Sequence, residues 1–271
     1  MPVDAETKKK YNDLIAGQKK EIADLEKEIS LLRRQINVNK KLEPFYRLKI
    51  ISLYLKQANL YLEMSNLSES MMNIKNHSYL DNGARKLVYK ILSEGESIVT
   101  AEIDEPLDHN REQLDKLKPF NPRQRLNLYK HIKRLIERLI QAYGPNTKWQ
   151  WSFPELWSKS AVLLKNLIDF REVQAIRDPR EEFYYDRQEM LELVKEDLFQ
   201  ASNHYRDKFE LSTKSPNDIL HAIKLLEALK RIASLMGDTE LVKRCKSGIE
   251  AYRSRIEADE KEKEKKKAKS K

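Results

Sequence analysis

The sequence predicts an all-α protein, and three observations support this prediction. The 271 residues include only 6 Gly and 9 Pro, so few turn residues interrupt the chain. Charged residues make up 35% and apolar residues 40%, and the long stretches between turns have the composition of helices. No alternating strand pattern is present. We therefore expect an elongated multi-helix protein with a long amino-terminal heptad helix and a carboxy-terminal helical bundle or hairpin array.

The amino-terminal part contains the strongest periodic signal. Leu25 and Leu32 lie at complementary positions to isoleucines that recur every seven residues. The repeating isoleucines are Ile15, Ile22, Ile29 and Ile36. This spacing predicts one apolar stripe of a heptad helix. Proline can bend a helix without reversing it, so we expect a kinked but nearly continuous helix through Pro44. The stripe either packs on later helices of the same chain or mediates self-association.

Turn residues suggest the domain organisation. A second helical block covers 68–103, with a turn expected at 81–83. Pro106 and Pro119 then punctuate a polar stretch, which we interpret as a linker. The predicted parts are long amino-terminal helices over 1–105 (a stalk or arm), a Pro-punctuated linker over 106–121, a helical bundle over 122–256 and a charged disordered tail over 257–271.

Helix start signals are clear in the second half of the chain. Asn121 followed by Pro122 predicts a helix that ends before Gly144. Ser152 and Glu155 predict a capping box for a helix over 156–176. The remaining signals are Asp178-Pro179 and Ser215-Pro216, which predict two helix starts, and the polar turn 237–240, which separates the last two helices.

The sequence contains no short motif of an enzyme or a metal site. A Gly-rich phosphate loop, a Gly-x-Ser-x-Gly turn and a His-Glu-x-x-His pattern are all absent. Cys245 is the sole cysteine, which excludes an internal disulfide and a cysteine-based zinc site; its position favours a small buried residue. No run approaches the ~18 apolar residues of a membrane span. We expect no enzymatic activity, no cofactor and no membrane span.

Two neighbouring segments depart from this mixed surface. The helix 123–143 contains six Lys or Arg residues against one acidic residue, and all three tryptophans lie within nine residues after it. Arginine and tryptophan are the residues most able to anchor an interface. The predicted partner-binding residues are Arg125, Lys130, Lys133, Arg134, Arg138, Trp149 and Trp151. The alternatives are a solvated basic face and an aromatic mini-core that anchors the loop.

The isoleucine-repeat helix, the helix 48–62 and the Trp-rich segment 148–170 together resemble the spirochaete flagellar-coiling and flagellar filament sheath proteins. This resemblance implies a structural protein that coats the periplasmic flagellar filament, contributes to its curvature and to motility, and binds filament subunits and other sheath proteins. It implies a periplasmic location, whereas the first residues lack a signal peptide, which leaves a cytoplasmic location open.

Two other functions are consistent with the sequence. One is a cytosolic nucleic-acid-associated helical protein that uses the basic helix for phosphate contacts. Against it, the tail 257–271 alternates in charge and has no aromatic residue for base stacking, so we expect protein partners rather than nucleic acid. The other is a helical-repeat scaffold, although only the hairpin at 219–256 resembles a repeat.

Overall fold

Helices form most of the chain, and short turns join them. The structure, a computed structural model, describes residues 4–269. Over this range it has ten α-helices and no β-strand, which confirms the all-α class. Residue contacts divide the chain into two units. Unit 1 comprises 1–100 and 112–150, and unit 2 comprises 101–111 and 151–271.

Unit 1 begins with the helices α1 (Ala5–Val38), α2 (Glu43–Met72) and α3 (Arg85–Ile98). The first two form an antiparallel hairpin. Tyr11 Oη donates to the carbonyl of Met64, and Gln57 Nε2 donates to the carbonyl of Ile22, each at 3.1 Å. These bonds join the start of α1 to the end of α2 and the middle of α1 to the middle of α2. The chain therefore reverses direction between the two helices.

The prediction of one kinked helix through Pro44 is wrong. Asn39 ends α1 in a non-helical conformation (φ −128°, ψ 87°), and a short 3-10 turn leads into α2. Pro44 lies in the first turn of α2. Proline is favoured there, because an N–H in the first turn has no acceptor within its own helix. Pro44 therefore marks the start of a helix and not a bend within one.

The isoleucine stripe of α1 packs within the chain. Its buried residues are Tyr11, Ile15, Ile22, Leu25, Ile29 and Ile36. They face α2, which buries Ile50, Leu53 and Leu60 among others. Each such side chain contributes roughly 1.5–3 kcal/mol when fully buried. Of the two expected uses of the stripe, packing against a later helix of the same chain is therefore the one that the structure shows.

The predicted turn at 81–83 is also wrong. These residues lie in a π-helical turn, Tyr79–Ala84, that leads directly into α3. The chain turns instead at Asn73, whose φ of 53° is left-handed. Gly83 serves packing, because a Cβ atom at this position would lie 2.5 Å from Cγ of Tyr61.

An ion-pair network holds the three helices of this region together. Glu94 of α3 is 5% exposed. Its carboxylate accepts from Arg33 of α1 at 2.5 Å and from Arg47 of α2 at 2.6 Å. Arg33 also donates to the hydroxyl of Tyr54, and Arg47 donates to Glu43. Every charged atom of Glu94 is thus matched by a guanidinium group.

The predicted domain boundary differs from the division in the structure. Helix α4 spans Leu107–Lys116 and helix α5 spans Pro122–Tyr143. The chain first leaves unit 1 at 100–101 and returns to it at 111–112, within α4, so the expected linker over 106–121 is largely helical and contains the second crossing. Helix α5 packs against α2 and α3 and belongs to unit 1. A helix that follows a Pro-rich segment can therefore still belong to the preceding unit.

Unit 2 contains the helices α6 (Phe153–Asn166), α7 (Phe170–Ala175), α8 (Tyr184–Lys208), α9 (Pro216–Met236) and α10 (Thr239–Lys269). The start at Ser215-Pro216 and the turn after Met236 are confirmed, and Gly237 ends α9 with a left-handed φ of 75°. Helices α8, α9 and α10 pack in sequence, and α6 packs against α8. Cys245 is buried in α10, as its position predicts.

Two predicted helix boundaries in unit 2 are wrong, and at a third, where Ser152 precedes α6 as predicted, the expected capping bond is absent. Helix α6 ends at Asn166, because Asp169 caps a separate α7 by accepting from two backbone N–H groups. Ser152 makes no side-chain cap bond to α6. Asp178 does not start α8, since its carboxylate accepts from the backbone and side chain of Arg180. Short polar residues form such local turns as readily as they cap helices.

The carboxy-terminal tail differs from the predicted disorder. Helix α10 continues through Lys269, and the last two residues lie outside the described range. Lys, Glu and Ala favour helix, and Arg255 pairs with Asp259 one turn later at 3.6 Å. Helix propensity alone thus extends α10 beyond the point where apolar residues end.

Candidate interaction surface

The basic helix α5 is fixed by its amino-terminal cap and by its apolar face. Asn121 Oδ1 accepts from the backbone N–H of Gln124, and the Gln124 side chain accepts from the backbone N–H of Asn121, each at 3.0 Å. This is the reciprocal capping box. The buried apolar residues are Leu126, Tyr129, Ile132, Leu135, Ile136, Leu139 and Tyr143. The helix therefore presents one defined face to solvent.

The solvent face of α5 carries a basic stripe, which we define as Arg123, Lys130 and Arg134. All three are exposed, and His131 is exposed between them. Spacings of seven and four residues place their side chains on the same side of a helix. Glu137 is the nearest exposed acidic residue that follows. The stripe gives this surface of unit 1 a positive charge on a rigid element.

Two of the predicted basic residues, Arg125 and Arg138, make contacts within the fold, and a third is only half-exposed. Arg125 is 7% exposed, and its Nε donates to the carbonyl of Phe120 at 2.8 Å. Arg138 is half-buried and donates to the side chain of Asn59. Lys133 is also half-buried. The prediction that Arg125 forms part of the interaction surface is therefore wrong, because its guanidinium closes the turn before α5.

The loop after α5 is held by the carboxylate of Asp81. Its Oδ1 accepts from Tyr143 Oη at 2.6 Å and from Trp149 Nε1 at 2.8 Å. Lys148 Nζ lies 3.3 Å from its Oδ2. The guanidinium carbon of Arg85 lies 3.6 Å from the centre of the Trp149 ring, a cation–π contact. Trp149 thus anchors the loop, which favours the mini-core interpretation for this tryptophan.

Electrostatics keep this cluster charged. Burial alone raises the pKa of Asp81, but the hydrogen bonds from Tyr143, Trp149 and Lys148 outweigh it and hold the pKa below its usual range. Burial, followed by the hydrogen bond to Asp81, raises the pKa of the Tyr143 hydroxyl. Asp81 is therefore ionised and Tyr143 protonated at neutral pH. The loop contact persists across the physiological range.

The predicted aromatic cluster is divided between the units. Trp149 belongs to unit 1, whereas Trp151 and Trp157 belong to unit 2. Trp157 stacks on His204 with ring centres 6.3 Å apart. Trp151 is half-buried in the 3-10 turn Gln150–Ser152 that precedes α6. Neither unit therefore contains the basic stripe, Trp149 and Trp151 together.

Sequence reasoning missed a serine–histidine contact in unit 2. Ser158 Oγ of α6 lies 2.7 Å from His221 Nε2 of α9, and the ring of Tyr205 lies 4.2 Å from that of His221. Burial, with a smaller effect of Lys224, lowers the pKa of His221 to about 4. Ser158 is buried inside a helix, so this neutral pair joins α6 to α9. The separation of 63 residues gives the sequence no signal for it.

Two general properties of the chain bear on function. Over residues 4–269, no helix combines the length and apolar character needed to cross a membrane. In the same range, no group of three or more His, Cys, Asp or Glu side chains is arranged to hold a metal ion.

Comparison with known proteins identifies the family. The TP0443 family matches residues 7–260, which is most of the chain. The protein belongs to the TP0443 family. The family takes its name from a Treponema protein, consistent with a spirochaete origin, and the match carries no information about a flagellar sheath. No curated protein matches the chain.

One solved structure aligns with nearly the whole length of the chain. It comes from the computational design of self-assembling cyclic protein homooligomers, and the alignment covers 97% of this chain and 99% of the designed chain. The identity is 12% and the TM-score is 0.25. A similarity of this size supports no argument about fold or function.

Proposed function

We propose that this protein is a non-enzymatic structural protein that binds other proteins, and that it is a sheath component that coats the periplasmic flagellar filament. Membership of a spirochaete-type family and the all-α fold support the structural role. The resemblance of the Ile-repeat and Trp-rich segments to sheath proteins supports the finer assignment. The observation that carries the proposal is the basic stripe of Arg123, Lys130 and Arg134.

The stripe has the properties of a docking surface. It lies on a helix whose opposite face is buried, so its side chains start from fixed positions. Exposed charges of this kind mainly set association rate and specificity, and they weaken as salt rises. The partner surface should therefore be acidic, as a filament subunit or another sheath protein could provide. Trp149 stabilises the adjacent loop and is not itself required for contact.

Co-sedimentation of the full chain with purified periplasmic flagellar filaments tests the proposal. The test variant combines Arg123→Glu, Lys130→Glu and Arg134→Glu. The control variant reverses three exposed lysines of α1 in the same unit, Lys8, Lys9 and Lys19, and changes the net charge equally. We expect the stripe variant to lose about tenfold or more in affinity, or about 1.4 kcal/mol, and the control to stay within about twofold.

Three outcomes contradict parts of this proposal. Failure of the wild-type chain to sediment with filaments at low salt would reject the sheath assignment. Equal losses in the stripe and control variants would reject the stripe as the contact surface. Salt-dependent binding to duplex DNA that only the stripe variant loses, without filament binding, would favour the nucleic-acid alternative. Thermal unfolding of each variant verifies that the fold is intact.

A further inference from the structure

Unit 2 contains a cavity with a buried lysine in its wall. The cavity has a volume of about 170 Å³. Its charged lining residues are Lys165 of α6, Arg231 of α9 and the carboxylates Asp104 and Glu105, and the apolar part of its wall includes Phe170, Ala228, Ile232 and Leu235. Every lining residue belongs to unit 2. The cavity therefore combines an apolar interior with a small number of charged groups, as ligand sites commonly do.

Lys165 is the unusual feature of this wall. Its side chain is only 4% exposed, and it lies in the stretch 161–168, where every residue is buried. Among the described residues, its ammonium has no hydrogen-bond or ion-pair partner. A buried charge without a partner is costly, and buried lysines are normally paired. In the described part of the chain, no carboxylate lies within ion-pair distance of this group.

The other charged groups of the cavity compensate the charge of Lys165 only in part. Arg231 is itself a cation, and its guanidinium donates to Asp104. Burial, followed by repulsion from Arg231, lowers the pKa of Lys165 to about 8, while Glu105 and Asp104 oppose this shift. Most molecules thus carry a charged Lys165 at neutral pH. An anion is the species that would match it.

We propose that this cavity binds a short aliphatic monocarboxylate, with the carboxylate on Lys165 Nζ and the alkyl chain against Phe170, Ile232 and Leu235. The size fits, because a cavity of about 150 Å³ can hold a molecule of six carbons such as benzene. A single carboxylate fits the charge, because the second cation, Arg231, already faces Asp104, and among the described residues Glu105 forms no ion pair with Lys165. The site lies in unit 2 and is independent of the basic stripe and of the proposed sheath function.

Titration calorimetry on the full chain with three six-carbon probes tests this inference. The probes are hexanoate, hexan-1-ol and hexylamine, which share a chain and differ in the charge of the head group. We expect hexanoate to bind at least about tenfold more tightly than hexan-1-ol, with hexylamine weakest. Lys165→Met keeps the apolar stem and removes the ammonium, so the preference for hexanoate over hexan-1-ol should disappear.

Lys159→Met is the matched control, because Lys159 lies on the same helix and does not line the cavity. It should bind hexanoate as the wild type does. Ala228→Leu should reduce binding of both hexanoate and hexan-1-ol by filling the cavity. Equal affinity of the wild type for hexanoate and hexan-1-ol would overturn the proposal, as would the absence of saturation by hexanoate in the millimolar range. Persistence of the preference in Lys165→Met would place the anion elsewhere and also overturn it.

Discussion

Two buried charges, one in each unit, have opposite surroundings. In unit 1, Glu94 is 5% exposed and meets the guanidinium groups of Arg33 and Arg47. In unit 2, Lys165 is 4% exposed and has no ion-pair partner among the described residues. Removal of a paired buried charge strands its partners, whereas removal of an unpaired one relieves a desolvation penalty. The first charge organises the packing of three helices, and the second is explained better by a ligand than by the fold.

Glu94→Gln should give the largest effect. The substitution keeps the shape of the side chain but removes the negative charge that Arg33 and Arg47 share. Breaking a buried ion pair from one side typically costs 3–5 kcal/mol, and the half-exposed Arg33 places this case near the lower end. We expect the free energy of unfolding to fall by about 3 kcal/mol in urea denaturation.

Glu28→Gln is the control for that substitution. Glu28 pairs with Lys49 across the α1–α2 hairpin at 3.6 Å, with both side chains about half exposed. Exposed pairs contribute at most about 1 kcal/mol, so this variant should unfold nearly as the wild type does. Equal losses in Glu94→Gln and Glu28→Gln would mean that burial does not distinguish the two pairs.

Lys165→Met should have the opposite sign. The pKa of Lys165 is lowered from 10.5 to about 8 in the folded chain. Below pH 8 the folded chain retains the unfavourable charge, and between pH 8 and 10.5 the unfolded chain binds a proton that the folded chain has released. Unfolding free energy of the wild type should therefore rise with pH across this window. At pH 7 the variant should be more stable by up to about 3 kcal/mol, the free-energy equivalent of this pKa shift.

Urea denaturation at pH 7 and pH 10 measures both parts of this prediction. The difference between Lys165→Met and the wild type should shrink at the higher pH, because Lys165 is then neutral in the folded state. A variant that is less stable than the wild type at pH 7 would show that the ammonium has a stabilising partner. In that case the contrast with Glu94 would not hold.

Local signals in the sequence predicted local structure well. The helix from Pro122 to Tyr143 was predicted at both ends, because its cap and stop signals lie in adjacent residues. The prediction of a bend at Pro44 is wrong, because the local sequence does not distinguish a proline at the start of a helix from a proline at a bend. The prediction of a turn at Gly83 is wrong, because this glycine makes room for the ring of Tyr61. That contact exists only in the folded chain and leaves no signal in the local sequence.

The candidate site was predictable in part. Arg125 lies on the same face of α5 as the buried residues Tyr129, Ile132 and Ile136, so its spacing indicates a buried position. Arg134 lies outside that buried face and is exposed. Lys165 also had a signal, because it interrupts an apolar run that is buried on all sides. The absence of its counter-charge depends on distant residues, and the sequence does not contain that information.

The smallest expected effect concerns Trp149, where the charge cluster is only partly buried. Trp149→Phe removes the Nε1–H donor to Asp81 and keeps an aromatic ring beneath Arg85. Asp81 retains the bonds from Tyr143 and Lys148. A single hydrogen bond contributes about 1 kcal/mol net, somewhat more when the acceptor is charged. We expect the free energy of unfolding to fall by about 1 kcal/mol beyond the packing loss, and filament binding to remain unchanged.

Trp157→Phe isolates the hydrogen-bond contribution from the packing loss. Trp157 is half-buried like Trp149 and stacks on a side chain, His204. Within the described residues, its indole N–H has no hydrogen-bond partner, so this variant loses similar ring area but no such bond. The difference between the two tryptophan variants in urea denaturation therefore measures the bond to Asp81. If Trp149→Phe instead leaves stability unchanged and weakens filament binding, Trp149 contacts the partner directly, as the sequence predicted. The interaction surface would then extend from the basic stripe onto the loop. The charge cluster around Asp81 would in that case contribute to binding rather than to the stability of the fold.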